Sequence, residues 1–112
     1  MIVKEIVLPA PREEVWEALT EPERLEDWFA NDVDLDLRPG GGASFRWSNG
    51  EERHATVTEV EPERRLAFDW DDEGTVEFTL EDDVHGTRLV VVESSPAWST
   101  ALELQASAFS CV

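Results

Sequence analysis

The chain has 112 residues, enough for one domain with a real core but little to spare. A hydrophobic fraction of 41%, with five Trp and five Phe, excludes a disordered acidic tail, and no apolar run approaches the ~20 residues of a membrane helix. Twenty-six acidic against nine basic residues give a formal charge of −17, which argues against nucleic-acid and membrane-surface partners because such a surface repels phosphate and anionic lipid.

The N-terminus lacks a basic region followed by a long apolar segment, so no signal peptide is expected. Residues 2–8 alternate Ile2, Lys4, Ile6 and Leu8 against Val3, Glu5 and Val7, the period of a first strand. Lys4 is the only lysine, so the basic side is nearly all arginine. An Arg-biased source or adaptation to high salt accounts for this balance, and a specific basic partner is the sharper alternative. Pro9-Ala10-Pro11 stops the strand and places Pro11 in the first turn of a helix, where its missing N–H costs nothing. Val15, Trp16 and Leu19 fall at helical spacing, with Trp16 read as core. Thr20-Glu21-Pro22-Glu23 fits a capping box opening a second short helix, with Leu25, Trp28 and Phe29 on one side.

Val33 to Leu37 reads as a second strand, and Pro39-Gly40-Gly41-Gly42 as a wide turn, since no Lys-Ser/Thr and no helix follow to make a phosphate cradle. From Gly40 to Trp70 the pattern predicts three consecutive antiparallel strands, with turns at Ser48-Asn49-Gly50 and Glu61-Pro62-Glu63. Ala43, Phe45 and Trp47 share one face of the first, and Leu66, Phe68 and Trp70 one face of the third. In the middle strand the parity around His54 is ambiguous, because Ala55 and Val57 prefer the opposite face. Two further strands follow the turns Asp71–Gly74 and Asp82–Gly86, the first with Val76, Phe78 and Leu80 aligned. In the second, Thr87 to Glu93, Leu89 and Val91 share a face with Glu93. Ser95 as N-cap and Pro96 open a final amphipathic helix whose stripe is Trp98, Ala101, Leu102, Gln105 and Phe109. Cys111 stands alone, so no internal disulfide forms and the cytoplasm is the expected compartment.

In this order the elements resemble the START/Bet v 1-like superfamily of helix-grip proteins, and within it the group related to the activator of Hsp90 ATPase. The resemblance rests on Pro11, Val15-Trp16, Ala18-Leu19-Thr20, Pro22, Leu25 and Trp28-Phe29, then Pro39-Gly40-Gly41 leading into Phe45. It continues through Val57, Glu59-Val60-Glu61-Pro62, Arg65-Leu66, Phe68, Trp70 and Gly86-Thr87-Arg88-Leu89. It implies an α+β fold: a curved antiparallel sheet of about six to seven strands wrapped on a C-terminal helix. Two short helices follow the first strand. Residues 1–112 would form a single domain with a shortened last helix, since only Ser94 to Val112 remain for it.

The resemblance also implies a hydrophobic cavity between sheet and last helix. Carried onto this chain, its lining is Phe45, Trp47, Phe68, Trp70, Phe78, Leu80, Leu89, Val91, Trp98 and Leu102, with Trp28 and Phe29 near the mouth. The competing reading is that these aromatics simply fill the core. Glu93, Gln105 and His54 are the polar candidates. No metal-ligand spacing, nucleophile elbow or dinucleotide fingerprint appears, so neither a metal nor a cofactor is expected. The leading expectation is non-catalytic binding of a small apolar or amphipathic molecule. The alternatives are a cyclase- or dehydratase-type enzyme using Glu93 or His54, and a protein-interaction module. A homodimer is also open, through the apolar stripe of the short last helix.

Overall fold

The computed structural model describes residues 2–71 and 74–94. Its elements are β1 (Ile2–Leu8), α1 (Arg12–Thr20), α2 (Pro22–Trp28), β2 (Asp32–Leu35), β3 (Gly42–Arg46), β4 (Glu52–Glu61), β5 (Arg65–Trp70), β6 (Thr75–Asp83) and β7 (Gly86–Glu93). The helix expected from Ser95, with Trp98, Leu102 and Gln105, lies outside the described residues, as does the middle of the Asp71–Gly74 turn.

The seven strands form one antiparallel sheet in the order β1-β7-β6-β5-β4-β3-β2. From β2 onward each strand pairs with the next, as short polar turns dictate. The two helices carry the chain from the β1 edge to the β2 edge, so the first strand pairs with the last, Ile2 opposite Glu93 and Leu8 opposite Thr87. In chain-order terms this is the helix-grip, α+β arrangement, with α1 packed on β6 and β7 and α2 on β2.

Local chemistry departs from expectation at three junctions. Pro11 is the N-cap of α1 (φ −69°, ψ 159°), one residue outside the first turn. The capping box does not form: Thr20 is the last residue of α1, and its hydroxyl donates to the Trp16 carbonyl at 2.7 Å. Glu21 instead ends α1 and begins α2, with no side-chain cap. In the Asn-Gly turn only Gly50 takes a positive φ (+91°), while Asn49 contributes its side-chain oxygen to the Glu51 N–H at 2.9 Å. The strand β2 also ends earlier than expected, leaving Leu37 exposed beyond it.

Strand β4 carries a bulge beyond the His54 segment. The register with β5 shifts between Val57 and Glu59, leaving Thr58 as the extra residue and bending the strand. Before the bulge Arg53, Ala55 and Val57 face inward, and after it Val60 does, opposite Leu66. Period-two reasoning fails across such a residue because it shifts parity by one.

The core lies on one face of the sheet. Phe45, Phe68, Phe78, Leu66 and Leu89 are fully buried there, with Val15, Leu19 and Leu25 from the helices. Burying each of the larger side chains is worth about 1.5–3 kcal/mol. The outer face carries cross-strand ion pairs. Arg46 meets Asp32 and Asp34, Arg65 meets Glu59 and Glu77, and Arg88 meets Glu5, Glu81 and Asp83. Hydrogen bonding and charge from Asp32, then from Asp34, push the Arg46 pKa still higher, so this arginine stays charged throughout the working pH range. Exposed pairs of this kind contribute little each.

Two measurements follow from this geometry. Gly86 sits at φ +140°, and a Cβ there would lie 2.0 Å from the Leu8 carbonyl oxygen. Gly86→Ala should therefore cost about 3 kcal/mol in urea unfolding, whereas Gly42→Ala, with nothing within 4 Å, should change stability by less than about 1 kcal/mol. Raising NaCl from ~10 mM to ~500 mM should raise the thermal midpoint, because screening relieves the self-repulsion of a −17 molecule. A falling midpoint would show that the outer-face pairs outweigh the repulsion.

Candidate functional site

Strand register decides which side chains share the inner face. Directly paired residues project to the same side, so one row runs Ile2, Glu93, Val76, Phe68 and Val57 across five strands. The next row toward the β2 end holds Trp70, Ala55, Ala43 and Leu35, and the one beyond it Arg53, Phe45 and Val33. On the other side lie Lys4, Val91, Phe78 and Leu66.

The structure brings together the apolar residues expected at the site, where it describes them. Phe45 is the hub: its ring centroid lies 5.3 Å from Phe29, 5.6 Å from Trp70, and 6.4 Å from both Trp47 and Phe68. Phe68 continues the chain to Phe78 at 6.4 Å, and Trp28 joins through Phe29 at 5.7 Å. Most of these contacts are edge-to-face, the preferred geometry, worth about 0.5–1.5 kcal/mol per pair beyond burial. Leu80, Leu89 and Val91 are buried on the same face.

Two of the tryptophans hold backbone as well as bulk. The Trp28 Nε1–H donates to the Ala18 carbonyl at 2.9 Å, tying α2 to α1. The Trp47 Nε1–H donates to the Phe29 carbonyl at 2.7 Å and fixes the end of α2 against β3. Both rings remain partly exposed at the rim of the cluster.

The polar candidates separate. Glu93 is 0% exposed on the inner face, with Ile2 and Val76 directly opposite and Lys4 on the diagonal. His54 is excluded from this face. It points outward, with Nδ1 3.0 Å from Ser44 Oγ and Nε2 2.8 Å from Glu52 Oε1. The ambiguity fell the other way because Ala55 and Val57 are the inward pair. Gln105 lies outside the described residues, with Trp98 and Leu102.

One inward residue escaped the sequence reading. Arg53 projects to the inner face opposite Phe45, with its guanidinium carbon 3.9 Å from the Trp70 ring centroid. Its signal was available: it has the same parity as Ala55 and Val57. Lys4 also lies on this face, paired with Val91.

A separate surface cleft of 640 Å³ opens at the turn end of the sheet, lined by residues 9–13, 63 and 82–86. Arg12 crosses it to Asp82 at 2.8 Å, and Asp83 accepts from Arg88 and from the His85 N–H. Among the described residues no group of three His, Cys, Asp or Glu side chains is placed to hold a metal ion. No helix among them is long and apolar enough to cross a membrane.

Comparison with known proteins agrees with this architecture. Among solved structures, a Bacillus halodurans protein is 36% identical, covering 84% of this chain and 67% of its own, at a TM-score of 0.72. A Mesorhizobium loti protein is 26% identical over 97% of this chain and 88% of its own, at a TM-score of 0.77. DynU16, of the dynemicin biosynthetic locus, is 31% identical over 95% of this chain at a TM-score of 0.77. The match covers only 42% of the DynU16 chain. No curated protein gives a significant match. The family model for activator of Hsp90 ATPase homolog 1-like protein matches residues 9–108, nearly the whole length. The chain belongs to that family.

Proposed function

We propose that the inner face of the sheet binds one small apolar or amphipathic molecule, without catalysis. The observation that carries this is Glu93. A carboxylate removed from water loses several kcal/mol of solvation, which a partner only partly returns, and a buried pair replaced as a whole by apolar residues of similar volume is often as stable or more so. Small-molecule sites have the corresponding build, an apolar wall with one or two polar groups that fix orientation. In this reading Trp28, Phe29, Trp47 and Trp70 border the bound molecule, and Phe45, Phe68, Phe78, Leu89 and Val91 back it. Glu93 receives its polar end.

Two further observations support a small molecule over a macromolecular partner. The exposed large apolar residues among those described are scattered: Val84 in a turn, Leu37 beyond β2, and Val3 and Val7 on the outer face of β1 with Glu5 between them. They form no docking patch of the size expected of an interaction module. The likeness to a protein of a biosynthetic locus also favours a small ligand. The same carboxylate supports a second reading, proton transfer to or from the bound molecule.

Native mass spectrometry before and after denaturation tests the proposal. A small mass that co-purifies and is lost on denaturation is expected, and a dimer mass without ligand would put the interaction reading first. E93Q should weaken retention of that molecule at least ~10-fold, as loss of a charged hydrogen-bond partner does. E93Q should keep most of the stability in urea unfolding, because an amide keeps the volume and much of the hydrogen-bonding capacity of the buried side chain. If E93Q is strongly destabilised yet retains the ligand, Glu93 is a structural residue and the proposal fails. Turnover of the bound molecule by the native protein, lost in E93Q with binding kept, would establish the catalytic reading.

A further inference from the structure

We infer that Asn49 is a self-modifying site: in the folded chain it deamidates to aspartate and isoaspartate, and the isoaspartate form loosens the α2–β2 junction beside the aromatic cluster. The Gly50 nitrogen attacks the side-chain carbonyl carbon of Asn49. A C–N bond forms there, the bond from Cγ to Nδ2 breaks, and ammonia leaves carrying the proton of the Gly50 amide. Water then opens the cyclic imide. Entry at the side-chain carbonyl restores the ordinary backbone, now with aspartate at position 49. Entry at the main-chain carbonyl leaves isoaspartate, its main chain routed through Cβ and longer by that carbon.

The turn is built for the first step. Ser48, Asn49 and Gly50 are all exposed, and a Cβ at Gly50 would meet nothing within 4 Å, so the approach to the attacking nitrogen is open. Asn49 Oδ1 accepts the Glu51 N–H at 2.9 Å. That bond closes a small ring of atoms containing both Cγ and the Gly50 nitrogen, which keeps the reacting atoms close. It also polarises the carbonyl under attack. One bond must open first, the Gly50 N–H to the Trp47 carbonyl at 3.0 Å, and at an exposed loop tip such opening costs little. Asn31, the other asparagine of the chain, is the internal comparison. Its Oδ1 is held by the Ser48 N–H at 2.7 Å, and the next nitrogen belongs to Asp32, which carries a side chain and opens β2.

The same turn anchors residues 29–31, between α2 and β2. The Trp47 indole N–H holds the Phe29 carbonyl at 2.7 Å, the Ser48 N–H holds Asn31 Oδ1, and the Asn31 N–H donates to the Arg46 carbonyl at 2.8 Å. The loop itself is spanned by two bonds: the Trp47 N–H to the Glu51 carbonyl at 2.9 Å, and the Gly50 N–H to the Trp47 carbonyl. Loop length and hydrogen-bond pattern are matched in a hairpin, so an extra main-chain carbon at position 49 does not fit that span. Relief of the misfit shifts Trp47 and Ser48, and with them the end of α2. An aspartate on the ordinary backbone keeps both the span and the side-chain acceptor for the Glu51 N–H.

Prolonged incubation of the full chain in mildly alkaline buffer, followed by peptide mapping with mass spectrometry, tests this. The peptide carrying Asn49 should gain the mass difference between an amide and an acid and split into two chromatographic products. It should do so at least ~10-fold faster than the peptide carrying Asn31. N49S should abolish the gain. Protein enriched in isoaspartate should melt at least ~4 °C below fresh protein and exchange the Ser48 and Asn31 amide hydrogens at least ~10-fold faster. N49D, with the same added charge on an ordinary backbone, should do neither. Reaction at Asn49 only when the chain is held unfolded in urea overturns the inference. Equal rates at the two asparagines overturn the part given to the open Gly50 nitrogen. An isoaspartate product that melts and exchanges like N49D overturns the loosening of the junction.

Discussion

Phe45 is the side chain on which three stretches of the chain converge: the end of α2 through Phe29, the fifth strand through Phe68 and Trp70, and its own strand through Trp47. It is fully buried, and the rings around it meet it mostly edge-on. Remove it and α2 loses much of its seat, because the apolar side of that short helix offers only Leu25, Trp28 and its C-cap Phe29. Trp47 then secures the helix end by hydrogen bonding the Phe29 carbonyl, and Trp28 passes the constraint to α1 through the Ala18 carbonyl. A helix of seven residues is far too short to persist by itself. Its conformation is supplied by the sheet.

Where the sequence was legible, a simple period decided the outcome. The alternations in β1, β6 and β7 set the strand bounds almost to the residue, and they put Glu93 on the same face as Leu89 and Val91. The burial of that carboxylate was harder to read, because charge alone argues that a residue at a strand end lies in water. What overrides the argument is β1, which pairs beside it and places Ile2 opposite. The bulge at Thr58 hid more, since one extra residue disguises the face to which each neighbour belongs. Ahead of the bulge the register is regular, and there Ala55 and Val57 already mark the inward parity that Arg53 shares and His54 does not. Thr20 was misread for a different reason: its hydroxyl had two backbone partners within reach, and the carbonyl one turn back won over the amide ahead.

The sheet separates two electrostatic regimes. Outside, acids and arginines pair across strands in water, where each contact is worth little and the surplus of carboxylates sets the surface potential. Inside, a few charges sit among aromatic rings, and low polarizability of the surroundings makes each of them count for more. The family to which the chain belongs shares the scaffold, and a function rests on the side chains that a given chain places on it. Among the described strand residues, the charged side chains on this face are Lys4, Arg53, Glu93 and, at the turn end, Asp82.

Pairing the first strand with the last also has a consequence for how the chain folds. Ile2 must meet Glu93, so the β1 edge cannot close until nearly every other strand has formed. The hairpins from β2 to β7 involve neighbours in sequence and can assemble progressively as the chain leaves the ribosome. The opening segment meanwhile waits without its partner, its valines and isoleucines in water, while the β7 backbone stands as an open edge. Closure of that long loop is an entropic step late in folding, and it makes the Ile2–Leu8 segment the one most exposed to mispairing before the domain is complete.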